Sequence, residues 1–265
     1  MRIDLHNHTP RCHHAEGDME AFVTEAIAQG IEVFGFSDHA PLRWDEGYRM
    51  GADEMDGYES EFAALKAKYA GKIALLLGYE ADYLPTKTID EVYSRKVDYL
   101  IGSVHFLGEW GFDNPENIFD CFGSDEFKRR GLEAIWRAYF AAIADMASSG
   151  RYDIVGHFDL IKLFGHYKGR KPDEAVFGAL EAIKKADMAI EINASGWRKP
   201  VGEQYPSAEI LKLAYELKIP ITFGSDAHAP QHIGAKSQAC YDLARSVGYK
   251  EAAIFESRKM RLLKI

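Results

Sequence analysis

Residues 98–105 read DYLIGSVH. A short apolar run with aromatic and β-branched members, too brief for a helix, reads as a buried strand. It ends on a histidine, for which a core strand has no use. The same plan recurs along the chain. VFGFSDH (33–39) ends at His39, IALLLGYE (73–80) at Glu80, YDIVGH (152–157) at His157 and PITFGSDAH (220–228) at His228. RIDLH (2–6) ends at His6, and MAIEIN (188–193) at Asn193. Between these runs, residues 18–30, 54–71, 125–150, 172–186 and 206–218 have apolar residues at helical spacing. Several of these segments close on glycine, a helix-ending residue, and the last two open on a proline, which suits a first helical turn. Strands alternating with helices imply a parallel sheet. Seven such units with no Pro/Gly/Ser-rich linker predict an α/β fold, a single domain over residues 1–265 and a closed or nearly closed TIM-like barrel. An open doubly wound sheet is the alternative.

In a parallel βα barrel the C-terminal strand ends converge on one face. His6, His8, Asp38, His39, Glu80, His105, His157, Asp226 and His228 would therefore meet in one bowl. The stretch DLHNHTPRCHH (4–14) adds weight, with four of the chain's ten histidines in nine residues. His6 and His8 alternate, so in a strand they point to the same side. Imidazole is the commonest metal-binding side chain. A catalytic zinc typically takes three protein ligands and keeps one open position. Six strand-end histidines, with His14, Glu80, Asp226 and Asp18 nearby, are too many for one ion and suit two or three sharing a carboxylate. Asp18 equally suits the cap of the helix that follows it. His13, His166 and His232 read as solvated loop residues, and Cys12 as a loop cysteine.

Charge and composition narrow the function. The formal charge of −9 argues against a nucleic-acid groove, although bound cations would reverse the local sign for a phosphate substrate. Cys12, Cys121 and Cys240 are too few and too scattered for a disulfide framework or a Cys-x-x-Cys zinc motif. MRIDLHNH has no apolar signal core, and no stretch approaches a membrane span. A cytoplasmic protein is expected. There is no phosphate-binding GxxxxGK loop and no Gly-x-Ser-x-Gly elbow. The long stretch 106–127 after His105 predicts a rim or lid.

DLHNHT, FSDHAP, GYEADYL, GSVHFLG, VGHFDLIK, INASGWRKPVG and GSDAHAPQHIG together resemble the polymerase and histidinol phosphatase (PHP) superfamily, closest to its stand-alone histidinol-phosphate phosphatase branch. The resemblance implies a distorted seven-stranded (β/α)7 barrel holding three divalent ions (zinc, manganese or iron) at the C-terminal end of the strands. It assigns His6, His8, Glu80 and Asp226 to the first ion, and Glu80, His105 and His157 to the second. The third would take His39, His228 and His14, with Asp18 the alternative to His14. It also implies hydrolysis of L-histidinol phosphate, a small-molecule phosphomonoester, in histidine biosynthesis. In such a reaction Glu80 would bridge the ions, and His228 or Asp226 would protonate the leaving alkoxide. Arg43, Lys162, Arg198 and Lys199 are the cations near strand ends that could hold phosphate. Glu109, Trp110, Phe112 and Asp113 could meet the amine and imidazole of such a substrate. The rivals are a phosphodiesterase, nuclease or nucleoside-phosphate phosphatase of the same superfamily, and an inactive metal-bearing interaction module. An amidohydrolase barrel would need a strand-end lysine where this chain has Glu80 or His105.

Overall fold

The computed structural model describes residues 1–44, 46–113 and 131–265. Its strands are β1 (Ile3–Asp4), β2 (Val33–His39), β3 (Ala74–Asp82), β4 (Tyr99–Ser103), β5 (Phe106–Leu107), β6 (Trp110–Gly111), β7 (Ile154–Val155), β8 (Ala189–Asn193), β9 (Ile221–Gly224), β10 (Glu251–Glu256) and β11 (Lys259–Lys264). The seven strands expected from the sequence form one parallel sheet in the order β1-β2-β3-β4-β7-β8-β9. Its edges meet: Leu5 N donates to Phe223 O (2.8 Å), Asp226 N to His6 O (2.8 Å) and His8 N to Ala227 O (2.9 Å). The sheet closes as a barrel, and the doubly wound alternative falls. Distortion comes from short pairings. β7 meets β4 and β8 through only Ile154 and Val155.

The helices are α1 (Met19–Ala28), α2 (Met55–Lys68), α3 (Glu91–Ser94), α4 (Leu132–Ser148), α5 (Glu174–Lys185), α6 (Ala208–Glu216) and α7 (Ser237–Val247). Pro172 and Pro206 do not open their helices as expected. Each precedes an N-cap, Asp173 or Ser207, whose side chain accepts from the first-turn amides, so α5 and α6 begin two residues later than the prolines suggested. The expected lid lies outside the described residues from position 114 onward. Its first part, residues 106–111, forms the small β5–β6 hairpin.

Alternation along β3 sorts the core. Leu75, Leu77 and Tyr79 pack with the helices, while Leu76 joins Ile3, Leu5, Val33, Tyr99 and Ile101 in a second cluster. Within that cluster the Tyr99 ring lies against the backbones of Gly35 and Gly78; a Cβ on Gly78 would stand 2.6 Å from it. Tyr99 Oη donates to Leu5 O (2.7 Å) and Phe36 O (3.1 Å), tying three strands together. The C-terminal hairpin β10–β11 was not foreseen. It bonds to Asp98 just before β4, pairs Arg258 with Asp153 just before β7, and meets Met1 ahead of β1. It therefore shuts the N-terminal end of the barrel, and the opposite end is left to the histidines.

Candidate metal centre

Glu80 organises the open end. It sits one strand over from His39, its register partner in β2, and is fully buried. Its two oxygens face different histidines. Oε2 is 2.9 Å from His39 Nδ1, 3.4 Å from His6 Nε2 and 3.8 Å from His8 Nε2. Oε1 is 2.9 Å from His157 Nε2 and 3.6 Å from His105 Nε2, and accepts from Ser103 Oγ (2.6 Å). Asp226 Oδ1 completes the first side, 3.1 Å from His8 Nε2 and 3.9 Å from His6 Nε2. Ligands at about 2.0–2.2 Å around a tetrahedral zinc stand about 3.3–3.6 Å apart, so the spacing of His6, His8, Glu80 and Asp226 suits a single cation. His6 Nε2 is buried with no hydrogen-bond partner, as a nitrogen reserved for a cation would be.

His14, His39 and His228 form the outer part. Ring centroids are 4.6 Å apart for His14 and His228, 5.2 Å for His14 and His39, and 5.9 Å for His39 and His228. The His228 ring also stacks on His8 at 4.0 Å. Asp18 lies apart from this group: it is exposed and caps α1, with Oδ1 accepting from Ala21 N at 2.7 Å.

Carboxylates that the sequence reading missed fix the rings. Glu191, buried in β8, holds His6 Nδ1 at 2.8 Å and accepts from His157 N (2.9 Å) and Asn193 Nδ2 (2.9 Å). Asp82 holds His105 Nδ1 at 2.6 Å and is itself paired with Arg49 at 3.0 Å. Carboxylate–histidine pairs of this kind set the tautomer, leaving the far nitrogen free to ligate. The available signal was the alternation itself, since Asp82 is two residues beyond Glu80 on the same strand. Gly224 makes room for Glu191, because a Cβ there would meet Glu191 Oε1 and stand 2.5 Å from His6 Cβ.

The electrostatics follow. Burial would raise the Glu80 carboxyl, but His39, His6, His105 and the hydrogen bond from His157 hold it well below its usual range. Asp226 is likewise held low, against its burial, by His6, His8 and His228. Burial opposes charge on His105, yet Asp82, Asp113 and Glu80 push it up to about 9. His39 and His228 go the other way, driven well down by burial and, for His228, by its neighbour His8.

A cavity of about 510 Å³ opens over this group, lined also by Tyr48, Arg49, Asp113, Ser195, Arg198, Lys199 and His232. Two of the expected phosphate cations are corrected. Arg43 is exposed and does not line the cavity. Lys162 is buried with its ammonium committed to Asp159 (2.9 Å), Glu203 (2.7 Å) and Gln204 O (2.9 Å). Arg198 and Lys199 do line it. Arg198 Nη2 donates to Ser225 O (2.8 Å) and Asp226 O (2.9 Å), and its Nη1 is buried without a hydrogen-bond partner. His232, expected to be solvated, is at the rim. Asp113 faces His105 Nε2 at 3.8 Å.

Residues 4–195 match the family model described as the PHP domain. The chain is 38% identical to the protein named "Probable histidinol-phosphatase" from Deinococcus radiodurans, over 97% of this chain and 98% of that protein. It is 32% identical to the histidinol-phosphatase of Bacillus subtilis, over 90% and 98%. A crystal structure of histidinol phosphate phosphatase from Lactococcus lactis, complexed with zinc, L-histidinol and phosphate, superposes with a TM-score of 0.82 at 25% identity, covering 98% of each chain. With the motifs, the barrel and the relatives in agreement, the chain belongs to the PHP domain family.

Proposed function

We propose that this chain is a metal-dependent phosphomonoesterase that converts L-histidinol phosphate to L-histidinol and phosphate in the cytoplasmic synthesis of histidine. The observation that supports it most is Glu80, one buried carboxylate whose two oxygens serve two separate sets of histidines. In this reading three divalent ions are held, the first by His6, His8, Glu80 and Asp226, the second by Glu80, His105 and His157, and the third by His14, His39 and His228. When bound, such ions lower the pKa of a water towards neutrality and screen the phosphate oxygens.

The chain's own groups do the rest. Arg198, anchored by two carbonyls, and Lys199 line the cavity and bring two positive charges to bear on a phosphate; such preorganised charges favour the charge that develops in the transition state. Asp226, ionised beside His6 and His8, takes a proton from the attacking water and returns it to the leaving alkoxide, with His228 beside it as the other candidate. Asp113, lining the cavity beside His105, suits a substrate ammonium or imidazole. The cavity volume lies within the range of small-molecule sites, about 300–1,000 Å³.

The test is turnover of L-histidinol phosphate by purified protein of measured metal content, beside a panel of other phosphomonoesters and of phosphodiesters. A strong preference for histidinol phosphate is expected. Comparable turnover of many monoesters would remove the specific substrate, preference for diesters would favour the nuclease reading, and no hydrolysis by the metal-loaded protein would leave an inactive module.

A further inference from the structure

The outer group differs from the other two in one chemical respect. His14, His39 and His228 are neutral ligands, whereas the first and second groups each include a carboxylate. The turn that supplies His14 also supplies a sulfur. Thr9 caps a short 3-10 turn, Pro10–Cys12, and His13 reverses the chain with φ +66°. The turn buries Cys12 and leaves His13 exposed. Cys12 Sγ and ring nitrogens of His14 and His228 then all lie within 4.8 Å of one another. On its other side the same sulfur lies within 4.8 Å of ligand atoms of His8 and Asp38, and His8 Nδ1 is buried without a hydrogen-bond partner. His14 Nδ1 is taken by Cys12 O at 2.8 Å, which leaves Nε2 as its uncommitted nitrogen. Of the two acids in the same loop, Asp18 is spent on capping α1 and Glu16 is exposed.

We propose that Cys12 is an anionic sulfur ligand of the third cation, completing a one-sulfur, three-imidazole set with His14, His39 and His228. The inference rests on the multi-cation reading above and deepens it. A bound cation deprotonates the thiol outright, and the thiolate supplies the negative charge that three imidazoles lack. Thiolate is a soft ligand that selects zinc, while manganese prefers oxygen. The third position should therefore prefer zinc or cobalt to manganese.

The full chain, stripped with a chelator, is titrated with cobalt(II) and read in the visible and near ultraviolet. We expect d–d bands as the centre fills and a thiolate-to-cobalt charge-transfer band that grows with one equivalent only. Cys12→Ser should abolish the charge-transfer band, keep d–d bands, and weaken zinc at one site at least about tenfold while barely moving manganese. Should Cys12→Ser not fold, X-ray absorption of the zinc-loaded native chain decides: a sulfur scatterer at about 2.3 Å supports the assignment, and nitrogen or oxygen shells alone overturn it. Normal d–d bands with no charge-transfer band would sink the sulfur ligand and leave the centre standing. A charge-transfer band that persists in Cys12→Ser would also overturn it. Absence of every cobalt band would overturn the centre and this inference together.

Discussion

Glu191→Gln is the most informative single change, because the two side chains have nearly the same shape and only one can satisfy this site. Glu191 Oε1 meets His6 Nδ1 at 2.8 Å, and Oε2 accepts from His157 N and Asn193 Nδ2, each at 2.9 Å. Every partner of the carboxylate is thus a donor once His6 Nδ1 is protonated. A glutamine has one acceptor and one donor. If its oxygen stays with His157 N, its NH₂ faces His6 Nδ1, and the imidazole must shift its proton to Nε2, the nitrogen aimed at Glu80 and Asp226. If the amide turns over, its NH₂ faces the two donors of His157 and Asn193. In the second case buried donors are left facing a donor, at a cost of about 1–3 kcal/mol. In the first case the His6 nitrogen needed by a cation is blocked. Loss of an outer partner of a ligating histidine typically costs about 10–100-fold in metal affinity, or about 1.4–2.8 kcal/mol. Competition titration of zinc against a chelator, on the native chain and the variant, should show one ion weakened by that factor and a lower melting temperature in metal-free protein. Native affinity for every ion in Glu191→Gln would refute the claim that this carboxylate sets the His6 tautomer.

Other outcomes follow from the same geometry. Arg198→Ala should lower kcat/KM about 10²–10³-fold, while Arg43→Ala, exposed and away from the cavity, should stay within about twofold of native; equal effects would remove Arg198 from phosphate binding. In metal-free protein, His105 has a folded pKa of about 9 against 6.5 for the free side chain, so its pairing stabilises the fold fully below about pH 6.5 and is lost as pH rises through 9. A cation needs that ring neutral, so zinc binding should release a proton between these values and release fewer above pH 9, as calorimetry in buffers of different ionisation enthalpy would show; a proton count independent of pH would contradict it. Gly78→Ala places a methyl 2.6 Å from the Tyr99 ring and 2.7 Å from Tyr99 O, and should cost about 1–3 kcal/mol in chemical denaturation; unchanged stability would mean that Tyr99 moves freely.

The seven barrel strands and the set of groups at their ends were legible because period and position encode them. A strand announces itself by its apolar run, and the rule that parallel barrels gather their C-terminal ends turns sequence position into space. Apart from Asp82, which alternation could have found, what eluded the reading has no such code. Glu191 lies inside a strand, where a lone acid tells nothing of which ring it holds. Arg43 and Lys162 were natural guesses beside strand ends, but a loop's path decides where a long cation points. Arg49 lines the cavity from six residues further along the chain, and Lys162 folds back onto Asp159 and Glu203. The C-terminal hairpin turns at Ser257 and Arg258, both with positive φ, and so lacks the Asn-Gly or Asp-Gly signature that usually marks such a turn.

One consequence of this layout concerns why the centre can fold before it is loaded. Three carboxylates, the buried Glu80 and Asp82 and the partly exposed Asp226, would repel one another in a barrel mouth stripped of cations. Histidines that are raised above their usual titration range, His6 and His105, lie against them, whereas His39 and His228, on the outer side, are driven low. Protons on the inner rings thus stand in for the charge that cations bring, and the outer rings are neutral from the start. Loading the inner positions must then expel protons, while loading the outer imidazoles need not, so the two parts of the centre should fill with different dependence on pH.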